Sequence, residues 1–182
     1  MASVLFVCLG NICRSPAGEA VFNAAVDQCA SAPGGLAASA FRVDSCGTGG
    51  GNPDWYCTGG WSYHEGEESD PRMTKEARKR GYTLTSRARP LTKRDIDEFD
   101  YIICMEDKNR NAVLTAAQAW GGAACKELAA QKVTMMTSYC TKFKSATRVP
   151  DPWYEGGFDH VLDLLEDACA GLYDSIIEKN ES

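Results

Sequence analysis

Apolar and polar positions along this chain follow two rhythms. Val4-Leu5-Phe6-Val7 is a short unbroken apolar run, and residues 3–7 predict a buried strand. Ala17, Ala20, Val21, Ala24 and Ala25 then recur on one face at helical spacing, which predicts a helix over 16–28. Phe41-Arg42-Val43-Asp44-Ser45 predicts a second strand, Tyr101-Ile102-Ile103-Cys104-Met105 a third, and Val133-Thr134-Met135-Met136 a fourth. Between them lie a basic helix over 72–80 stopped by Gly81, a short helix over 93–98, and a helix from about Lys108 to Trp120 that a Gly-Gly pair breaks. Phe158, Val161, Leu162, Leu165, Cys169, Leu172 and Ile176 stripe a long terminal helix, and the stripe reads as core. Residues 30–39 are small and Gly/Ala-rich, a loop, while 47–70 mix Gly, Asp and aromatics with no regular period. Strands alternating with helices predict one α/β domain over residues 1–182. Its expected form is Rossmann-like, a four-stranded parallel sheet with helices on both faces and right-handed crossovers.

Composition narrows the function. The 182 residues are 44% apolar, enough for one proper core. A net charge of −6 argues against nucleic acid or an anionic membrane as partner, so any anion site must be a local exception. The nine cysteines include no Cys-x-x-Cys pair, which argues against zinc and against a secreted disulfide framework. No run approaches a membrane span and no signal segment precedes residue 4, so the expected compartment is the reducing cytoplasm.

One local pattern carries chemistry. Cys8 leaves the first strand, five residues follow, and then come Arg14, Ser15 and Pro16. Five residues are about enough to wrap a backbone nest around a phosphate-sized anion. A helix starting at Pro16 would add the positive end of its dipole, and Arg14 would grip two anion oxygens with its planar fork. The same field favours a Cys8 thiolate nucleophile. Gly10 and Asn11 tolerate the positive φ such a loop needs, and Ser15 suits a helix N-cap. A bare C-x5-R match is weak evidence; its place at a strand-to-helix turn strengthens it.

Val7-Cys8-Leu9-Gly10-Asn11-Ile12-Cys13-Arg14-Ser15-Pro16 resembles the signature of the low-molecular-weight protein tyrosine phosphatases, and Asp151-Pro152-Trp153-Tyr154 resembles their late Asp-Pro-aromatic-Tyr segment. Ser45-Cys46-Gly47-Thr48, His64-x-Gly66 with Asp70-Pro71-Arg72, Arg87-x-Arg89-x-Leu91-Thr92 and Phe99-Asp100-Tyr101-Ile102 extend the resemblance over nearly the whole chain, most closely to plant and algal members. Relative to the family's spacing, the stretch around 49–62 is about ten residues longer. The resemblance implies the phosphotyrosine protein phosphatase I-like fold and a cofactor- and metal-free hydrolase. It implies catalysis by Cys8, Arg14 and Asp151 through a phosphocysteine, with phosphate bound by Leu9, Gly10, Asn11, Ile12, Cys13, Arg14 and Ser15. Tyr63, Trp153 and Tyr154 are expected at the pocket rim, where an aromatic cleft suits a phenyl phosphate. Cys8 and Cys13 are expected to form a protective disulfide on oxidation. Expected partners are phosphotyrosine proteins or small aryl phosphates, met by a monomer.

The residues bracketing Asp151 are Pro150 and Pro152, which stiffen its loop, and Trp153 and Tyr154 are expected to wall it with apolar surface. Trp55, Tyr56 and Trp61 read as loop packing, His64 as a supporting group, and cysteines 29, 46, 57, 104, 125, 140 and 169 as structural thiols. Glu106 stands where many relatives carry aspartate, and its role stays open. Two alternatives remain at this point: an arsenate reductase of the same fold, which needs relay cysteines that 72–90 lacks, and a non-catalytic phosphate-binding or redox-sensing module.

Overall fold

The computed structural model describes residues 1–31 and 37–181. Four parallel strands, β1 (Ala2–Cys8), β2 (Phe41–Gly47), β3 (Tyr101–Cys104) and β4 (Val133–Met135), lie in the order β2-β1-β3-β4. The helices are α1 (Arg14–Ala30), α2 (Pro71–Lys79), α3 (Lys93–Glu98), α4 (Asp107–Lys132), α5 (Pro152–Glu155) and α6 (Phe158–Glu181). Short 3-10 turns occupy Ala38–Ala40 and Met136–Tyr139. Part of the predicted 30–39 loop, residues 32–36, lies outside the described residues.

Helices cover both faces of the sheet because β1 is apolar in both phases of its pleat. Val4 and Phe6 join one core with Val21, Phe22, Leu162 and Leu165 of α1 and α6. Leu5 and Val7 join the other with Ile96 of α3 and Val113 and Ala117 of α4. All four strand residues are fully buried, and truncating Phe6 to alanine would cost about 3–5 kcal/mol. The terminal stripe is core, as its spacing predicts.

The predicted break after Trp120 is present: Gly121 (φ −155°, ψ 21°) and Gly122 (φ 64°, ψ −158°) interrupt α4. Helix then resumes to Lys132, a segment whose mixed composition carries no clear stripe. Helix α2 follows the Asp70-Pro71 start, with Asp70 capping through the Arg72 amide, and Gly81 beyond it takes φ 87°. The start of α1 differs from expectation. Cys13 occupies the cap position and Arg14 is already helical, so Ser15 and Pro16 sit inside the first turn and the Ser15 hydroxyl caps nothing.

β1 lies between β2 and β3: the chain passes from β1 to β2 on one side and then crosses to β3 on the other. A crevice therefore opens beyond its carboxyl end, where Cys8 lies.

Candidate active site

The loop after β1 is held from beneath. Asn11 adopts the left-handed conformation at φ 56°; Gly10 is not among the positive-φ residues. Asn11 donates its Nδ2 to the Ser15 Oγ (2.9 Å) and the Ser45 Oγ (3.0 Å), and its Oδ1 accepts from the Arg89 amide (2.9 Å). Arg89 is anchored by Asp95 and Asp44, and Ser45 donates to Glu19 at 2.6 Å. From above β2, Thr48 and Gly50 donate their amides to the Leu9 carbonyl, and the Asp70 amide ties down the Ile12 carbonyl at 2.7 Å. Gly47 must be glycine, since a Cβ there would lie 2.9 Å from the Leu9 oxygen. The amides of Gly10, Ile12 and Cys13 donate to no protein group among the described residues, which leaves them for an anion.

Cys8 is buried under this loop. Its Sγ lies 3.2 Å from the Asn11 amide and 3.0 Å from the Ser15 Oγ. The Ser15 hydroxyl, which also reaches the Cys46 carbonyl at 3.2 Å, can donate to the sulfur while accepting from Asn11. The Asn11 amide donates to the sulfur, and the Ser15 hydroxyl is placed to do the same.

Arg14 is only 1% exposed. Its Nη1 donates to Glu106 Oε1 (2.8 Å) and to the Val149 carbonyl (3.2 Å), and its Nη2 donates to Asp151 Oδ2 (2.9 Å). Burial alone would weaken its charge, yet Cys8, Asp151 and Glu106 together hold the guanidinium above its ordinary pKa. Glu106, left open by the sequence, is thus one of two carboxylates that fix the Arg14 fork. Glu106 also caps α4 reciprocally with Asn109.

A cavity of about 40 Å³ brings together Cys8, Leu9, Gly10, Ile12, Cys13 and Arg14 with Asp151, Trp153 and Tyr154. Most of the predicted site therefore converges, from segments more than a hundred residues apart. Asn11 and Ser15 lie beneath it rather than on its wall. Tyr63 does not line it, contrary to the expected rim. His64, at φ 67°, turns its own ring inward beside Gly10 and 5.6 Å from Trp153, while Tyr63 pairs with Trp61 at 4.4 Å. A positive φ is uncommon at a non-glycine residue, and the sequence offers no signal for it here.

The expected apolar wall around Asp151 is absent. Trp153 and Tyr154 are 46% and 73% exposed, and the carboxylate faces Arg14 instead. Asp151 Oδ1 accepts from the Trp153 amide, which caps α5. Trp153 is braced by Arg72, whose guanidinium lies 5.1 Å from its ring and 4.9 Å from that of Phe158 while pairing with Asp70.

All nine cysteines are free thiols. Burial strongly raises the pKa of Cys13, with Asp70 and Cys8 adding to it. Cys57 is exposed, unlike the packed thiol expected there. Trp55 and Tyr56 pack as loop residues: Trp55 meets Trp120 edge-on at 5.8 Å, and Trp120 Nε1 donates to the Tyr56 carbonyl. No helix among the described residues is long and apolar enough to cross a membrane.

Known proteins carry the same pattern. The family model for low molecular weight phosphotyrosine protein phosphatase matches residues 3–182. A Synechocystis sp. protein assigned by name to the low molecular weight protein-tyrosine-phosphatases is 43% identical over 178 residues, covering 95% of each chain. The human low molecular weight phosphotyrosine protein phosphatase is 34% identical over 179 residues, covering 97% of this chain and 94% of its own. Among solved structures, a protein tyrosine phosphatase from Entamoeba histolytica superposes with a TM-score of 0.80 at 38% identity, covering 99% of both chains. The loop that cradles Cys8, the buried fork of Arg14 and the match along the whole chain lead to one assignment: this chain belongs to the low-molecular-weight phosphotyrosine protein phosphatase family, enzymes that hydrolyse phosphoric monoesters.

Proposed function

We propose that the chain, working as one domain and as a cytoplasmic monomer, hydrolyses phosphotyrosine in proteins and small aryl phosphates in two steps. The observation that carries this is the convergence of Cys8, Arg14 and Asp151 on one small cavity. In the first step the Cys8 thiolate attacks phosphorus, an S–P bond forms, and the P–O bond to the phenol breaks. The Asp151 carboxyl gives its proton to the departing oxygen. Arg14 and the free amides of Gly10, Ile12 and Cys13 hold the equatorial oxygens as charge redistributes. In the second step the Asp151 carboxylate takes a proton from water, the water oxygen bonds to phosphorus, and the S–P bond breaks. Ser15 and the Asn11 amide stabilise the thiolate that leaves.

The aromatic mouth formed by His64, Trp153 and Tyr154 supports a flat phenyl ring over the phosphate. An acidic chain supports neither nucleic acid nor an anionic membrane as partner. The charge that binds phosphate in this reading comes from Arg14 and backbone dipoles, so turnover should survive EDTA. Cys8→Ser tests the covalent step: phosphate binding should persist while turnover of p-nitrophenyl phosphate falls by several decades. Retention of more than about a hundredth of wild-type activity would refute the nucleophile.

A further inference from the structure

A second, larger cavity of about 930 Å³ adjoins the catalytic one and shares Leu9, Asp151 and Tyr154 with it. Asn52, Trp55 and Tyr56 of the long loop line one side, and Lys108, Asn109 and Ala112 of α4 the other. The loop wall is braced: Trp55 is buried against Trp120, the Trp120 indole donates to the Tyr56 carbonyl, and Gly49 at φ 95° lies against the Trp55 ring, where a Cβ would come within 2.4 Å. This wall of the cavity is therefore preformed.

Its polar groups are unevenly satisfied. Glu106 and Asp151 are held by Arg14, and Glu155 is paired with Arg148 through both oxygens. Lys108 has no carboxylate partner among the described residues. Asn109 is 1% exposed, and its Nδ2 is buried with no hydrogen-bond partner among the described residues, while its Oδ1 accepts from the Glu106 amide. A buried donor without an acceptor is destabilising, so a ligand acceptor that reaches it is favoured. Lys108 and Asn109 also occupy the first turn of α4, where the helix dipole is positive.

We infer that this cavity is a specificity subsite for an acidic side chain close to the phosphotyrosine in a peptide substrate. Its carboxylate accepts from Asn109 Nδ2 and pairs with Lys108 while the phosphate sits over Cys8. The inference rests on the phosphatase reading above.

The test uses one phosphotyrosine peptide with Glu, Ala or Lys at the flanking positions, and p-nitrophenyl phosphate as a substrate that cannot reach the subsite. Wild type should favour the Glu peptide over the Ala peptide about tenfold in kcat/KM, the size of one charge-assisted hydrogen bond to a partly exposed partner. The preference should shrink as salt rises. Ratios are compared within each variant, so a general loss cancels. Lys108→Glu should invert the ratio in favour of the Lys peptide. Asn109→Asp, which keeps the Oδ1 cap and removes the donor, should abolish the preference for Glu. Equal kcat/KM for the three peptides in wild type, with p-nitrophenyl phosphate turned over, would overturn the subsite alone; so would a Glu preference that survives both substitutions. Failure to turn over any aryl phosphate would instead overturn the phosphatase reading.

Discussion

Replacing Glu106 with alanine should lower turnover through Arg14, although Glu106 itself touches no substrate. Its Oε1 receives the Arg14 Nη1 at 2.8 Å, opposite Asp151, which receives Nη2 at 2.9 Å. Unit charges about 4 Å apart attract by about 4 kcal/mol at an effective dielectric constant near 20, an upper bound on what Glu106 supplies. The net effect is smaller, because Asp151 and the Val149 carbonyl keep hold of the guanidinium. One charge-assisted hydrogen bond, about 1.5–3 kcal/mol, is the better measure. If that energy fixes the plane of the fork, its loss should cost about one to two decades in kcat. Glu106→Gln keeps an acceptor oxygen and should lose about one decade. Inhibition by inorganic phosphate should change little, since removing a carboxylate near the dianion offsets the looser fork. This split separates a positioning residue from a general loss of fold, which would weaken both. The assay is steady-state hydrolysis of p-nitrophenyl phosphate with phosphate as inhibitor, alongside thermal melting. A folded Glu106→Ala enzyme with wild-type kcat would refute the reasoning.

Three further outcomes are expected. Asp151→Asn should slow a phosphotyrosine peptide by about two to four decades but slow phenol release from acidic nitrophenols much less; equal loss across a leaving-group series would deny it the role of acid. Mild peroxide should inactivate wild type reversibly through a Cys8–Cys13 disulfide, and Cys13→Ala should recover less activity on reduction; equal recovery would leave Cys13 as a packing residue. Asp167 accepts the amides of Thr141, Lys142 and Phe143 and the Thr141 hydroxyl; burial opposes its charge, but these bonds hold its pKa below the usual carboxylate range. A depressed folded-state pKa stabilises the protein above about pH 3.9, and that stability is lost as pH falls through the folded value. Asp167→Asn should therefore destabilise by about 2–3 kcal/mol at pH 7 by urea titration, and the gap should close at low pH; a gap independent of pH would refute the assignment.

Local signals were readable in the chain, and long-range ones were not. The run Val4–Val7, the 93–98 helix behind Thr92 and the stripe of α6 each depend on neighbours within a turn or a pleat, and each lies where its period predicts. The Cys8 loop was legible for the same reason, since nucleophile, nest and arginine occupy seven consecutive residues. Glu106 was not, because its partner Arg14 lies 92 positions away and a carboxylate at a helix start looks like an ordinary cap. The brace from Glu19 through Ser45 to Asn11 joins three segments by side chains that are individually unremarkable. His64 lines the cavity in place of the expected Tyr63, and nothing local in the sequence announces its positive φ.

The wiring of Arg14 also bears on how the protein is made. Its carboxylate partners lie 92 and 137 residues downstream, while Cys8 ends β1. At about 5–20 residues per second, the ribosome reaches Asp151 roughly 7–30 s after Cys8. For that interval the nascent chain carries a nucleophile with no acid and an arginine lacking at least one of its two carboxylates, so it cannot hydrolyse anything by this route. The guanidinium cannot be buried cheaply until its last partner emerges. Closure of the β1 end of the sheet is thereby linked to synthesis of Asp151, and a chain cut short before residue 151 would carry its anion loop without the acid that works with it.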